Sequence, residues 1–223
     1  EGLREQAVSK AFQVPLRAVQ EASMITGDIG EVAHIAKSDG KQGLLKIGFK
    51  VFRPVGPMLA QMADSVAQAL EEHEGKTALE YKYDGARVQI HKSGDDIKIF
   101  SRRLTDVTDS LPEIADLARE NLKAEEAIFE GEVVAVDSHG YPIPFQHLMR
   151  RFRRVHGIAG AAERIPLRLY LFDVLYLNGQ NMISTKYVQR RQVLAANTGG
   201  IPMTSQIVTD DVREAEQFLK QAM

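Results

Sequence analysis

The chain has 223 residues, 44% of them hydrophobic and 26% charged, with a formal net charge of -2. That is enough apolar material for a sizeable core, and so small a net charge excludes a globally basic nucleic-acid binder, leaving only a local patch for any contact with DNA. With no cysteine there is neither a disulfide framework nor a cysteine-ligated zinc; no apolar run approaches the ~20 residues of a membrane span, no signal-peptide pattern is present, and a cytoplasmic setting is expected.

Leu16 to Ala22 and Asp28 to Ala36 read as short helices, the second opening with Asp28 and Glu31 at capping-box spacing. Phe52-Arg53-Pro54-Val55-Gly56-Pro57 then divides the chain near residue 50. Beyond it Met58, Leu59, Met62, Val66 and Leu70 form a helical stripe expected to be core. Strands begin at Ala78 and recur to Tyr176, interrupted by a helix that Ser110-Leu111-Pro112-Glu113 opens at capping-box spacing and that runs to about Asn121. A further helix holds Phe145 and Leu148, and the last, from Asp210, puts Val212, Ala215, Phe218 and Leu219 on one face.

Within the strands, Glu80-Tyr81-Lys82-Tyr83-Asp84-Gly85-Ala86-Arg87 places a lysine two residues before an Asp-Gly turn. If the segment is a hairpin, Glu80 and Lys82 share one face, and Arg87, Gln89 and His91 share a face opposite Val88 and Ile90. A lysine with a reference pKa of ~10.4 is a weak nucleophile at neutral pH, so burial, the cation of Arg87 or a metal would have to favour the neutral amine. Glu80 is therefore expected to face a ligand and not to neutralise Lys82. Taken alone, the segment fits equally well a surface hairpin with one more lysine.

Three further segments follow in order: Phe100-Ser101-Arg102-Arg103, Phe129-Glu130-Gly131-Glu132-Val133-Val134-Ala135-Val136-Asp137, and Tyr170-Leu171-Phe172-Asp173-Val174-Leu175-Tyr176-Leu177-Asn178-Gly179. Glu130 and Glu132 lie on one face of a valine-rich strand, Glu130 reading as an exposed carboxylate. Arg102 follows an apolar strand, where it can fork onto a phosphate or a ribose. Phe172 is expected to share the face of Tyr170, Val174 and Tyr176, either in ordinary core packing or as a stacking surface. Two basic clusters, Arg150-Arg151-Phe152-Arg153-Arg154 and Arg190-Arg191, either contact nucleic-acid phosphates or are solvated helix faces.

Together with Lys82-Tyr83-Asp84-Gly85-Ala86-Arg87, these segments resemble the ordered motifs of covalent nucleotidyltransferases: DNA ligases, RNA ligases and mRNA capping enzymes. Their wording is most similar to ATP-dependent DNA ligases of archaea and eukaryotes. The resemblance implies an α+β fold, an adenylation domain of mostly antiparallel sheets flanked by helices, ATP-grasp-like, over residues 51 to 223. Residues 1 to 50 would be the closing helices of an all-helical DNA-binding domain. It implies Lys82 as the nucleophile that takes AMP from ATP, Glu80, Arg87, Arg102 and Glu132 as nucleotide ligands, Phe172 against the base, and Glu132 also toward Mg²⁺. Nicked double-stranded DNA would be the substrate, sealed in replication, repair and recombination by a monomer, with a sliding clamp as partner of the longer protein. The family's downstream glutamate and lysine-rich motifs and its OB-fold domain are expected beyond residue 223. An RNA ligase or capping enzyme, and a binding module without catalysis, remain as alternatives.

Overall fold

The computed structural model describes residues 2–57, 60–152 and 165–222, with the backbone alone for residues 150–152. Three helices come first, α1 (Gly2–Phe12), α2 (Leu16–Thr26) and α3 (Ile29–Leu45). They close on a small core of their own, Val14, Ala18, Val19, Ala22, Val32, Ala36 and Leu44. Asp28 caps α3 as its spacing requires, accepting from the backbone N–H of Gly30 at 2.8 Å and of Glu31 at 3.2 Å. Glu31 pairs forward with Arg53 instead, 2.5 Å away, while Arg53 Nε donates to the Thr26 carbonyl at 2.7 Å. The segment that divides the chain is thereby fastened to the helices before it.

The expected stripe through residue 70 shortens to α4 (Val66–Glu72), capped by Ser65, whose hydroxyl accepts from Gln68 N at 3.1 Å. Met62 lies outside the helix and is 93% exposed, so it is not core; Met58 and Leu59 lie outside the described residues. Next come β1 (Thr77–Glu80), β2 (Ala86–Ser93), β3 (Asp96–Ser101), α5 (Pro112–Asn121), β4 (Glu126–Ala135), α6 (Phe145–Phe152), β5 (Leu167–Leu177) and β6 (Gln180–Asn181). The chain continues through α7 (Tyr187–Asn197), β7 (Gln206–Thr209) and α8 (Val212–Ala222). A short 3-10 turn over Thr108–Ser110 makes Leu111, fully buried, the residue before α5, so Ser110 does not cap it.

Five antiparallel strands form the main sheet in the order β3-β2-β4-β5-β6, and β1 pairs antiparallel with β7 in a second sheet. The anticipated hairpin across Asp84-Gly85 is therefore absent. β1 and β2 belong to different sheets, and residues 81 to 85 bridge them. One face of the main sheet holds Val88, Ile90, Ile99, Phe129, Val133, Leu169, Leu171 and Val174, covered by Ile114 and Ala118 of α5, Leu148 of α6 and Leu194 of α7.

The other face of β2 carries a buried polar row. Gln89 answers both backbone groups of Val55: its Oε1 accepts from Val55 N at 2.9 Å, and its Nε2 donates to Val55 O at 2.6 Å and to Glu130 Oε1 at 3.1 Å. His91 Nδ1 accepts from Phe52 N at 3.0 Å, so the ring proton sits on Nε2, which faces Gln89 Oε1 at 3.3 Å. Burial drives the His91 pKa down to about 3, keeping the ring neutral. Beside this row Val55, Ile128 and Leu175 pack with Met24 and Phe49, joining the helices to the sheet.

Gln89→Leu conserves bulk but strands the amide and carbonyl of Val55, and should cost about 2–4 kcal/mol. Ile90→Val, on the opposite face of the same strand, should cost about 0.5–1.5 kcal/mol. Urea unfolding of both variants decides it; equal losses would mean that the polar row does not stabilise the joint.

Candidate functional site

An open cleft of about 260 Å³ lies between the two sheets, lined by Glu80, Tyr81, Lys82, Tyr83, Arg87, Glu132, Phe172 and Thr204. It is slightly below the ~300–1,000 Å³ of small-molecule pockets. Five sequence-derived candidates, Glu80, Lys82, Arg87, Glu132 and Phe172, meet in it although up to 92 positions apart in the chain. Arg102 does not line the cleft; it lines a small neighbouring depression with Val55, Gln89 and Arg87, the last of which also lines the cleft.

Lys82 stands just past the end of β1, exposed, and among the described residues it has no ion pair or side-chain hydrogen bond. The next turn is held by close approach. A Cβ on Gly85 would sit 2.3 Å from the Val133 carbonyl oxygen, so only glycine lets this loop lie against β4. From there the Gly85 N–H donates to Glu132, and Arg87 and Glu132 face each other across β2 and β4. Burial nevertheless pushes the Glu132 carboxyl up to about 7, against the opposing pull of Lys82, Gly85 N–H and Arg87.

Glu130 is not the exposed carboxylate its strand position suggested. It is 4% exposed and receives Arg87 Nη2 at 2.5 Å as well as the Gln89 amide. The Arg87 cation, expected to act on Lys82, is thus matched by a carboxylate, and its guanidinium also lies 5.6 Å from the centroid of Phe172. Gly131 separates the two glutamates because a Cβ there would come within 2.8 Å of Leu169 and 2.9 Å of the Tyr170 carbonyl.

Phe172 owes its orientation to irregular pairing. Glu130 faces Asp173 and Gly131 faces Leu171, which leaves Phe172 as an extra residue in β5, a bulge that re-aims its side chain. The slip also corrects the expected alternation: Val174 joins Leu171 in the buried core instead of sharing the Phe172 side. Tyr170, opposite Glu132, stacks on Tyr83 with centroids 4.1 Å apart and planes 11° apart, and Tyr81 packs on Phe218 of α8 at 4.8 Å. On the expected face of α8, Ala215 is buried, but Val212 and Leu219 are exposed.

Glu80 lines the cleft as expected and does not pair with Lys82, yet it is far from free. Its Oε1 accepts from the Tyr187 hydroxyl, from Arg191 Nη1 at 3.0 Å and from Gln206 Nε2 at 2.8 Å. Burial and the Glu80 carboxylate raise the Tyr187 pKa, keeping its proton for donation. Arg190 holds Asp173 through two bonds, Nε to Oδ1 at 2.8 Å and Nη2 to Oδ2 at 2.9 Å. Arg190 and Arg191, only 13% and 14% exposed and paired with Asp173 and Glu80, do not form the solvated helix face that was one reading of this pair. For Arg150 and Arg151 the helix is described but not the side chains, and Arg153 and Arg154 lie outside the described residues.

Tyr81, Tyr83 and Thr204 were not among the sequence candidates. The tyrosines alternate with Lys82 and could have been read from that; Thr204 carries no local signal. It arrives through a parallel bridge, with Leu171 N donating to Pro202 O at 2.9 Å and Thr204 N to Leu171 O at 3.0 Å.

Residues 57–223 match the family model described as ATP dependent DNA ligase domain. The DNA ligase of Thermococcus fumicolans is 47% identical over 226 residues, and that of Thermococcus onnurineus 46%. Each alignment takes in 100% of this chain and 40% of the relative, so the chain spans about two fifths of the length of the curated relatives it matches. Among solved structures, mycobacterial DNA ligase D complexed with ATP and MES superposes with a TM-score of 0.56 at 25% identity, over 75% of this chain and 50% of that one. The ligase domain from M. tuberculosis LigD, 22% identical with a TM-score of 0.50 over 67% of this chain and 46% of its own, shares the fold.

The raised Glu132 pKa has a testable sign. Free glutamate titrates near ~4.3 and the folded group near 7, so between these the folded state binds more protons and stability falls as pH rises. Discounted for the part of the side chain that water reaches, wild type should lose about 1–2 kcal/mol relative to Glu132→Gln between pH 4.5 and 8. Urea titrations across that range check it; a constant difference would place the carboxyl at an ordinary pKa.

Proposed function

The chain belongs to the ATP-dependent DNA ligase domain family, and on that footing we propose that it is the adenylation part of a DNA ligase, with Lys82 as the group that carries AMP. The observation that carries this reading is an exposed lysine, without an ion pair among the described residues, at the mouth of a cleft whose walls are an aromatic ring, Phe172, and a half-buried carboxylate, Glu132.

In this reaction the neutral Lys82 Nζ attacks the α-phosphorus of ATP. A nitrogen–phosphorus bond forms as the bond to pyrophosphate breaks, and the proton left on Nζ passes to water. The AMP held as a phosphoramidate then moves to the 5′-phosphate at a nick, and the adjacent 3′-hydroxyl displaces it to close the strand. Phe172 offers its face to the base, kept in place by the bulge and by Arg87 beside it. Glu80 takes the nucleoside end of the ligand, while Arg102 lies where it can meet a ribose or phosphate beyond Arg87.

Among the described residues no three acidic, histidine or cysteine side chains gather into a ready metal cage. Mg²⁺ is commonly held by one or two carboxylates together with substrate phosphates, and Glu132, whose charge burial disfavours, suits that role. When bound, the ion offsets charge on the phosphates. Residues 1 to 50 serve as the closing helices of a DNA-binding domain, held against the sheet by Arg53, Gln89 and His91. Nicked duplex DNA is the substrate of the whole protein.

Incubated with ATP and Mg²⁺, the chain should gain the mass of one AMP, read by intact mass spectrometry, and Lys82→Ala should gain none. Label retained on Lys82→Ala would refute the assignment of the nucleophile.

A further inference from the structure

Lys82 sits in a stretch of chain that its own backbone does not hold. Tyr81 N donates to Ser205 O at 3.0 Å, which carries the β1–β7 pairing one residue further, and Gly85 lies against the Val133 carbonyl. Between these two points, among the described residues, neither Lys82 nor Tyr83 makes a backbone hydrogen bond. The Lys82 side chain is exposed and has no hydrogen bond or ion pair there either, so it does not anchor itself.

What fixes this stretch is a line of four aromatic rings. Phe218 of α8 packs on Tyr81 with centroids 4.8 Å apart and planes at 36°, Tyr81 meets Tyr83 edge-on at 6.3 Å and 67°, and Tyr83 stacks on Tyr170 of β5 at 4.1 Å and 11°. Lys82 is the link of chain between the two middle rings. The outer rings belong to separate bodies: Phe218 to the helix that follows β7, and Tyr170 to the main sheet, where it stands opposite Glu132. Neither of them lines the cleft. The Tyr170 hydroxyl has no hydrogen bond among the described residues, so what it gives Tyr83 is its ring. Aromatic pairs at such separations prefer defined mutual geometries beyond simple burial. They therefore set the direction in which the backbone presents the Lys82 side chain.

We propose that Tyr170 and Phe218 are positioning residues for the nucleophile: acting through Tyr83 and Tyr81, they hold Lys82 at the distance and angle that in-line attack on a phosphorus requires. This rests on the proposed function and adds the residues that aim its lysine. Attack is sensitive to placement, a shift of about 1 Å in a reacting group costing on the order of 10²-fold in rate. A lysine with a free, solvated end has many conformations to lose before it reacts, and removing either outer ring releases one side of its backbone. Phe172 and Glu132, which wall the cleft, stand outside this line of rings. Loosening the line therefore slows attack and leaves the affinity for ATP in place.

The test measures formation of the AMP adduct over a range of ATP concentrations, at a temperature well below the melting point of every variant. Tyr170→Leu and Phe218→Leu keep apolar bulk but remove the ring contacts. Each should lower the limiting rate about tenfold or more, while the half-saturating ATP concentration stays within about twofold of wild type. Tyr170→Phe, which keeps the stacked ring, should hold the limiting rate within about threefold of wild type. Phe218→Leu, on a helix largely open to solvent, carries the test by itself should Tyr170→Leu not fold. Residues that only support the fold would lower the melting temperature without this split, so an unchanged limiting rate would overturn the proposal. A raised half-saturating concentration at constant limiting rate would overturn it as well, by making the rings part of the ATP site. Equal losses in Tyr170→Phe and Tyr170→Leu would assign the effect to the hydroxyl and overturn it too. These three results leave the adenylation reading intact, whereas a wild type that forms no adduct would sink that reading and the proposal with it.

Discussion

Gln89 is the residue on which the architecture turns. Its amide closes a two-way clamp on the Val55 backbone and at the same time steadies Glu130, which in turn holds Arg87 beside Phe172. A buried amide with partners on all these sides has no alternative arrangement of comparable energy, because each broken bond would leave a polar group away from water. The segment between the helices and the sheet, the acidic strand β4 and the aromatic side of the cleft are therefore fixed together. His91 extends the same row to Phe52, and its neutrality follows from its burial, with Nδ1 accepting from the Phe52 backbone N–H.

Charge is arranged around the cleft in two grades. Where carboxylates are deeply buried they are matched: Glu130 with Arg87, Asp173 with Arg190 through a parallel pair of bonds. Where groups are left for chemistry they are incompletely matched. Lys82 stands in solvent without an ion pair among the described residues, and Glu132 sits half-buried with a pKa near 7. Such unpaired groups gathered in a cleft are a physical mark of a functional site, since a structure selected only for stability would pair or remove them.

The chemistry lies where the two sheets meet. β1 delivers Glu80 and then Lys82 from the small sheet, while β2, β4 and β5 deliver Arg87, Glu132 and Phe172 from the large one. Gly85 makes the junction close enough for the Gly85 amide to reach Glu132, and Arg191 of α7 ties Glu80 to the chain that follows β5.

The order and spacing of Lys82, Glu132 and Phe172 announced the family and the cleft's main residues, because local motifs of this kind are written in consecutive side chains. Helices α2, α3 and α5 were likewise expected, the first two as shorter segments than they fold into, and Asp28 capped its helix as its spacing required. What the sequence could not decide was partnership. Whether Glu130 faces water or Arg87, whether Arg190 and Arg191 form a solvated helix face or meet Asp173 and Glu80, and whether β1 pairs with β2 or with a strand 126 residues further on depends on which distant segments arrive alongside. The bulge at Phe172 is of the same kind: an alternating pattern shows two faces, but a slipped register is a property of two strands, and only the folded chain fixes it.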